Sequence, residues 1–245
     1  MLLAWIVAFS VIGSVGALAG AALMLSFPDR VRDSLLPALL GYATGTLLGA
    51  AFLGMIPKAM AGQNPSAISS TILAGIVAFF ILEKLVIWRH AHDQHIDSTT
   101  AAGPLILVGD AFHNFVDGIV IAGAFLTSIP LGISVSLAVV AHEIPQEVGD
   151  FAILLDNGYS RTRALALNLL SSLATLPGAL IGFFFLAEAT AVLPFILALS
   201  AASFIYIAIA DLVPGLARQG GLRVNLIQLL LLFSGIATIA LIQVG

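Results

Sequence analysis

Long apolar runs separated by short polar breaks make up most of the chain. Eight of them reach the ~20 residues that an α-helix needs to cross a bilayer, at roughly 2–26, 35–57, 67–88, 103–127, 130–155, 163–187, 191–214 and 224–244. The pattern predicts an all-α, polytopic membrane protein of eight spanning helices, numbered here in chain order. Two of the runs break the rule that such helices are apolar. Helix 4 contains HNFVDG at 113–118, and helix 5 contains HEIPQEVGD at 142–150.

At about 100° per residue, Asp110, His113, Asn114 and Asp117 follow i, i+3, i+4 and i+7 and share one stripe of helix 4. On helix 5, His142, Glu143, Gln146, Glu147 and Asp150 follow i, i+1, i+4, i+5 and i+8, a wider stripe on one face. Only the short segment 126–131, with Pro130, separates the two helices, so they must run antiparallel side by side. Their stripes then meet near the membrane centre. Pro145 lies among the polar residues of helix 5 and has no N–H to give to the carbonyl of Ala141, which predicts a kink and a freed carbonyl there.

The two segments hold five acids, Asp110, Asp117, Glu143, Glu147 and Asp150, while no Lys or Arg occurs between His90 and Ser160. A charge at mid-bilayer costs ~2.5–3.5 kcal/mol on insertion scales, so protons, water or metal ions must offset it. Composition agrees with a membrane protein: of 245 residues, 60% are hydrophobic and 9% charged, and the mean hydropathy is +1.11. A formal net charge of −4 predicts no nucleic-acid partner. With no cysteine, disulfides, thiolate clusters and thiol nucleophiles are excluded. The first run has no basic n-region and is too long for a signal peptide, so it is expected to remain as the first span.

Basic residues orient the bundle, because cytoplasmic loops retain them. Arg30, Arg32, Lys84, Arg89, Arg161, Arg163, Arg218 and Arg223 all fall at alternate loops, and only Lys58 falls on the other side. That split predicts an even number of spans with both termini outside the cytoplasm. The connections are short, so the expectation is a single transmembrane domain covering 1–245. The longest connection, near 89–102, carries His90, His92 and His95, which either bind metal loosely or form an ordinary solvated loop. Gly13, Gly16 and Gly20 in helix 1, and Gly41, Gly45 and Gly49 in helix 2, have the small-residue spacing of close helix packing.

Imidazole with carboxylate suits Zn²⁺, Fe²⁺, Mn²⁺, Co²⁺ and Cd²⁺, and the lack of thiolate argues against Cu⁺. An ion that has to leave again calls for a flexible or shared ligand set rather than a closed structural site.

With both motifs in place, the chain resembles the ZIP (Zrt/Irt-like) divalent metal-ion transporters, in the subfamily with HNFxDG on helix 4 and HExPxExGD on helix 5. The similarity extends through FFILEK at 79–84, SFIYIAIADLVP at 203–214 and the Gln228-bearing last helix. The resemblance implies eight helices and movement of Zn²⁺, Fe²⁺, Mn²⁺ or Cd²⁺ into the cytoplasm through paired metal positions between helices 4 and 5. It also implies alternating access, with helices 1, 4, 5 and 6 moving against 2, 3, 7 and 8. Metal is then cargo, and no cofactor is expected.

Carried over by position, the family pattern makes His113, Asp117, His142 and Gln146 the main ligands. Asn114 and Glu143 join Asp117 at the second position, and Glu147 and Asp150 serve as outer or proton-accepting groups. Two departures stand out. Many relatives have His in place of Gln146, and helix 2 offers Ala50 and Gly54 where relatives commonly place Asp and His. Met55 offers a soft sulfur there or simply packs. The partners expected are divalent metal ions, the lipid bilayer and a second copy in a homodimer, in a bacterial inner membrane.

Lesser polar features have two readings each. Glu83 and Lys84 in helix 3 and Asp211 in helix 7 fit the family pattern or pair structurally. Asn168, Ser171 and Ser172 on helix 6 either border the pathway or make packing hydrogen bonds. Two rival functions also follow from the residues. HEIPQ is similar to the HExxH of zinc proteases, but Gln146 stands where the second His is required. The polar stripes could instead carry protons without metal, although five acids without basic partners fit a cation better.

Overall fold

A computed structural model describes residues 1–92, 98–217 and 221–244, and among them all regular structure is helical. Joined where the helical backbone runs on, the described residues form eight long segments. These are α1 (Leu2–Ser26), α2 (29–60), α3 (Pro65–His92), α4 (Ser98–Thr127), α5 (Ile129–Asp156), α6 (Arg161–Glu188), α7 (193–217) and α8 (Leu222–Val244). By length and composition six candidate spans arise, from α1, α2, α5, α6, α7 and α8, and Pro65–Ile81 of α3 is a shorter apolar helix. α4, with its polar stripe, is not among the six. Large apolar side chains such as Leu170, Leu230 and Leu241 point outward and are more than half exposed, as lipid-facing positions should be.

Two groups of four helices emerge from the packing. α4 lies along α6 and α5, with α1 against all three. α2 lies along α8, and α3 along α7, with α7 also touching α2. The groups meet chiefly where α2 and α8 reach α5 and where α7 reaches α4. The apolar core sits at this junction and includes Ile6, Ile121, Phe125, Leu131, Val135 and Phe204.

Glycine makes the tightest contacts possible. On α2, a Cβ added at Gly41 would lie 2.8 Å from the Gln228 carbonyl oxygen of α8. One added at Gly178 of α6 would lie 2.9 Å from the carbonyl carbon of Phe115 on α4. Backbone therefore rests on backbone in both pairs, and the small-residue face of helix 2 is packing, as expected.

Two prolines inside helices have different local outcomes. α5 is an uninterrupted helix from Ile129 to Asp156 with Pro145 inside it, so the chain does not break at the polar stripe. The break comes in α6, between Arg161–Ser172 and Thr175–Glu188. Pro177 has no N–H for the carbonyl of Leu173, and the Leu176 N–H takes that carbonyl instead at 3.1 Å, tightening the turn. In α5, Pro130 stands in the first turn, and the Ser128 hydroxyl caps that turn by accepting from the Leu131 N–H at 3.3 Å.

Candidate metal centre

The stripes of α4 and α5 face each other and bring four ligand-type side chains together. His113 Nε2 is 3.2 Å from His142 Nε2 and 3.4 Å from Glu143 Oε1. His142 Nε2 is 3.4 Å from both Asp117 Oδ2 and Glu143 Oε1, and His113 Nε2 is 3.9 Å from Asp117 Oδ2. A tetrahedral Zn²⁺ with bonds of ~2.0–2.1 Å needs neighbouring donor atoms about 3.4 Å apart. The cluster matches that spacing, and its four donor atoms all lie within 4.8 Å of one another.

Three of the four ligands, His142, Asp117 and Glu143, are prepared for a cation by their surroundings. His142 Nδ1 lies 2.9 Å from the Ala138 carbonyl, which can only accept, so Nδ1 carries a proton and Nε2 faces the cluster. The edge of the His142 ring also meets Phe204 of α7, with centroids 6.0 Å apart. Asp117 Oδ2 and both carboxylate oxygens of Glu143 are buried without a hydrogen-bond partner. Buried anionic oxygens left bare are costly, and a divalent cation between them removes that cost. His142, Asp117 and Glu143 are each 1% exposed, while the His113 side chain is 23% exposed and forms the open side.

The other expected site residues sit beside this cluster rather than in it. Asn114 Nδ2 donates to Asp110 Oδ1 at 3.0 Å and to the Asp110 carbonyl at 3.2 Å, and its Oδ1 accepts from the Thr175 hydroxyl at 3.0 Å. Gln146 Nε2 donates to the same Asp110 Oδ1 at 3.2 Å. Glu147 accepts from the Ser172 hydroxyl, and its backbone carbonyl accepts from Asn168 Nδ2 at 3.3 Å. Asp150 is buried one turn further along α5.

Residues of α6 thus support the site through hydrogen bonds, which is the packing reading of Asn168 and Ser172. Ser171 bonds its own helix, to the carbonyls of Leu167 and Asn168, and its hydroxyl also faces Asp110. Thr175 is not singled out by the sequence, because a lone Thr after a helix break carries no pattern of its own. Helix 2 contributes no ligand among the described residues. Ala50 and Met55 are fully buried in the apolar core, and Gly54 lies against Leu131 and Gln243. Lys84 is placed with Nζ 5.5 Å from the centre of the Phe80 ring. The expectation attached to His90, His92 and His95, and the side chains of Glu83 and Asp211, lie outside what is described.

Comparison with known proteins points the same way. The family model described as ZIP Zinc transporter matches residues 89–243. Zinc transporter ZIP13 of Pongo abelii is 35% identical over 228 residues, covering 84% of this chain and 66% of its own length. The ZIP13 homolog of Drosophila melanogaster is 30% identical over 280 residues, covering 87% of this chain and 79% of its own. Zinc transporter ZIP13 of Homo sapiens is 31% identical over 264 residues, covering 84% and 70%. The chain spans about two thirds of the first of these, all are named as transporters rather than enzymes, and all come from animals, so they lend no support to a bacterial membrane. On the strength of the family match and these relatives, the chain is an integral membrane protein that belongs to the ZIP zinc transporter family.

Proposed function

We propose that the chain is a carrier that moves divalent transition-metal ions, Zn²⁺ foremost and Fe²⁺, Mn²⁺ or Cd²⁺ as alternatives, across the membrane into the cytoplasm. The observation that carries this reading is the set of four donor atoms from His113, Asp117, His142 and Glu143, spaced for one tetrahedral ion and left without other partners. Two imidazoles with two carboxylates and no sulfur suit this metal range.

The same reading takes residues 1–245 as a single transmembrane domain with both termini outside the cytoplasm, supported by the loop charges. Transport needs the site to open to each side in turn. The division into two helix groups supplies a mechanical basis, since all four ligands ride on α4 and α5 and move with one group. Because α2 supplies no side chain to the four-ligand cluster among the described residues, cargo bound by α4 and α5 need not break a metal bond to that helix as the groups separate.

A protease reading is disfavoured by geometry. Gln146 donates to Asp110 instead of standing as a second ligand, and Glu143 lies among the ligands, where it cannot also activate a metal-bound water from outside. In proteoliposomes, the carrier reading expects protein-dependent Zn²⁺ uptake that collapses in Asp117→Ala. Uptake equal to wild type in that variant, or cleavage of a membrane substrate that is lost in Glu143→Gln, would overturn it.

A further inference from the structure

Away from the metal ligands, a cavity of about 650 Å³ opens between the α1–α2 hairpin and the α5–α6 hairpin, at the end of the bundle that carries Arg30, Arg161 and Arg163. Its walls include Leu25 of α1, Leu36 of α2, Gly149 and Ala152 of α5, and Arg161 and Leu165 of α6. We propose that this cavity is a binding site for one anionic phospholipid, with an acyl chain lying over Gly149 and Ala152 and the phosphate at Arg161.

The α5 wall is shaped for a slender apolar chain. Val148, Ala152 and Leu155 follow i, i+4 and i+7 and share one face of α5, with Gly149 at its edge. Gly149 and Ala152 are exposed although α5 packs against both α1 and α2, and a Cβ added at Gly149 would meet nothing within 4 Å. A trough floored by small residues and walled by leucines takes a methylene chain, and in a bilayer the apolar ligand at hand is the acyl chain. Its volume falls within the ~300–1,000 Å³ of ordinary small-ligand sites.

The sign of the ligand follows from the charged residue in the lining. Ser26 also lines the cavity, but its hydroxyl is spent on the Leu23 carbonyl at 2.6 Å. Arg161 is exposed and has no ion-pair partner among the described residues. It stands in the first turn of α6, where the helix dipole adds to its attraction for an anion. Arg163 is engaged elsewhere, with its guanidinium 4.9 Å from the centre of the Tyr159 ring. A guanidinium between helices at the basic end of a membrane bundle matches a lipid phosphate. The site is separate from the metal centre, because Ala152 comes nine residues after Glu143 and is turned about 180° from it around α5. Leu36 belongs to the opposite helix group, so the lipid lies across the boundary between the two groups; on the carrier reading, it weights the balance between their arrangements.

Lipid retention by the purified full-length chain in detergent, read by native mass spectrometry, tests the site without transport. Phosphatidylglycerol and phosphatidylcholine with the same acyl chains are titrated in parallel. One phosphatidylglycerol is expected to be held about fivefold or more tightly than phosphatidylcholine, as one added charge contact implies. Arg161→Gln is expected to remove that preference, and Arg163→Gln to keep it. Gly149→Leu and Ala152→Leu fill the trough and are expected to weaken phosphatidylglycerol retention by about fivefold or more, with thermal melts showing that the variants are folded. Arg161 is exposed, so its replacement leaves no buried gap and the arginine pair decides the question even if a leucine variant fails to fold. Equal retention of the two lipids by wild type, equal losses in Arg161→Gln and Arg163→Gln, or wild-type retention in both folded leucine variants would overturn the site. Failure of the carrier reading alone would appear as absent Zn²⁺ uptake with lipid retention unchanged.

Discussion

The Thr175 hydroxyl lies 3.0 Å from Asn114 Oδ1 and 2.8 Å from the Ser172 carbonyl, so its one hydrogen is shared between the break in α6 and the middle of the α4 motif. Asn114 cannot rotate without abandoning Asp110 as well, so this bond fixes the amide that orients one of the buried acids. Replacement by valine keeps the shape and removes the donor, leaving a buried acceptor unpaired at a cost of ~1–3 kcal/mol. Thr175→Val is expected to unfold at a lower temperature than wild type, and Thr175→Ser is expected to restore most of the loss. Equal thermal stability in Thr175→Val and wild type, measured in the same detergent, would show that the bond carries no weight.

Backbone contact between α4 and α6 gives a second prediction. A methyl group at Gly178 meets the Phe115 backbone, which cannot swing aside as a side chain would, and overpacking of this kind costs ~1–3 kcal/mol. Gly149, although part of the α5 motif, has open space where a Cβ would stand, with nothing within 4 Å. Gly178→Ala should therefore destabilise the protein, while Gly149→Ala should be neutral or stabilising by up to ~1 kcal/mol through helix propensity. Thermal melts of the two variants side by side check this, and equal losses would contradict it.

Gln146 yields the third. Its amide serves Asp110, so Gln146→His exchanges a supporting donor for an imidazole beside the two already present. Zn²⁺ affinity should rise relative to Mn²⁺ in a competition titration, because imidazole is the softer ligand and Asp110 loses a donor. An unchanged Zn²⁺ to Mn²⁺ preference would mean that position 146 is remote from the bound ion.

Much of the site is legible in the sequence because helical periodicity is local. The i, i+3, i+4, i+7 stripe of α4 and its counterpart on α5 need only a short turn between them to be placed face to face, and His113, Asp117, His142 and Glu143 do meet. What periodicity does not carry is the choice among partners within hydrogen-bond reach. Asp110 belongs to the same stripe, but that it takes the amides of both Asn114 and Gln146 depends on the tilt and depth of two helices. The helix break in α6 is not legible for a related reason. Both Pro145 and Pro177 remove a backbone donor, and packing decides which loss the helix tolerates: α5 continues as helix, while α6 opens at Leu173 and Ala174 and offers Ser172 and Thr175 to the site.

Two imidazoles and two carboxylates, from His113, His142, Asp117 and Glu143, are the proposed ligands of the transported ion. Zinc K-edge X-ray absorption on the purified chain loaded with one equivalent of Zn²⁺ tests this assignment most directly. The expected spectrum has nitrogen and oxygen neighbours at ~2.0–2.1 Å with the longer-range scattering of two imidazole rings and no sulfur, falling to one ring in His113→Ala and in His142→Ala. A spectrum without imidazole scattering, or one identical in wild type and both variants, would contradict it.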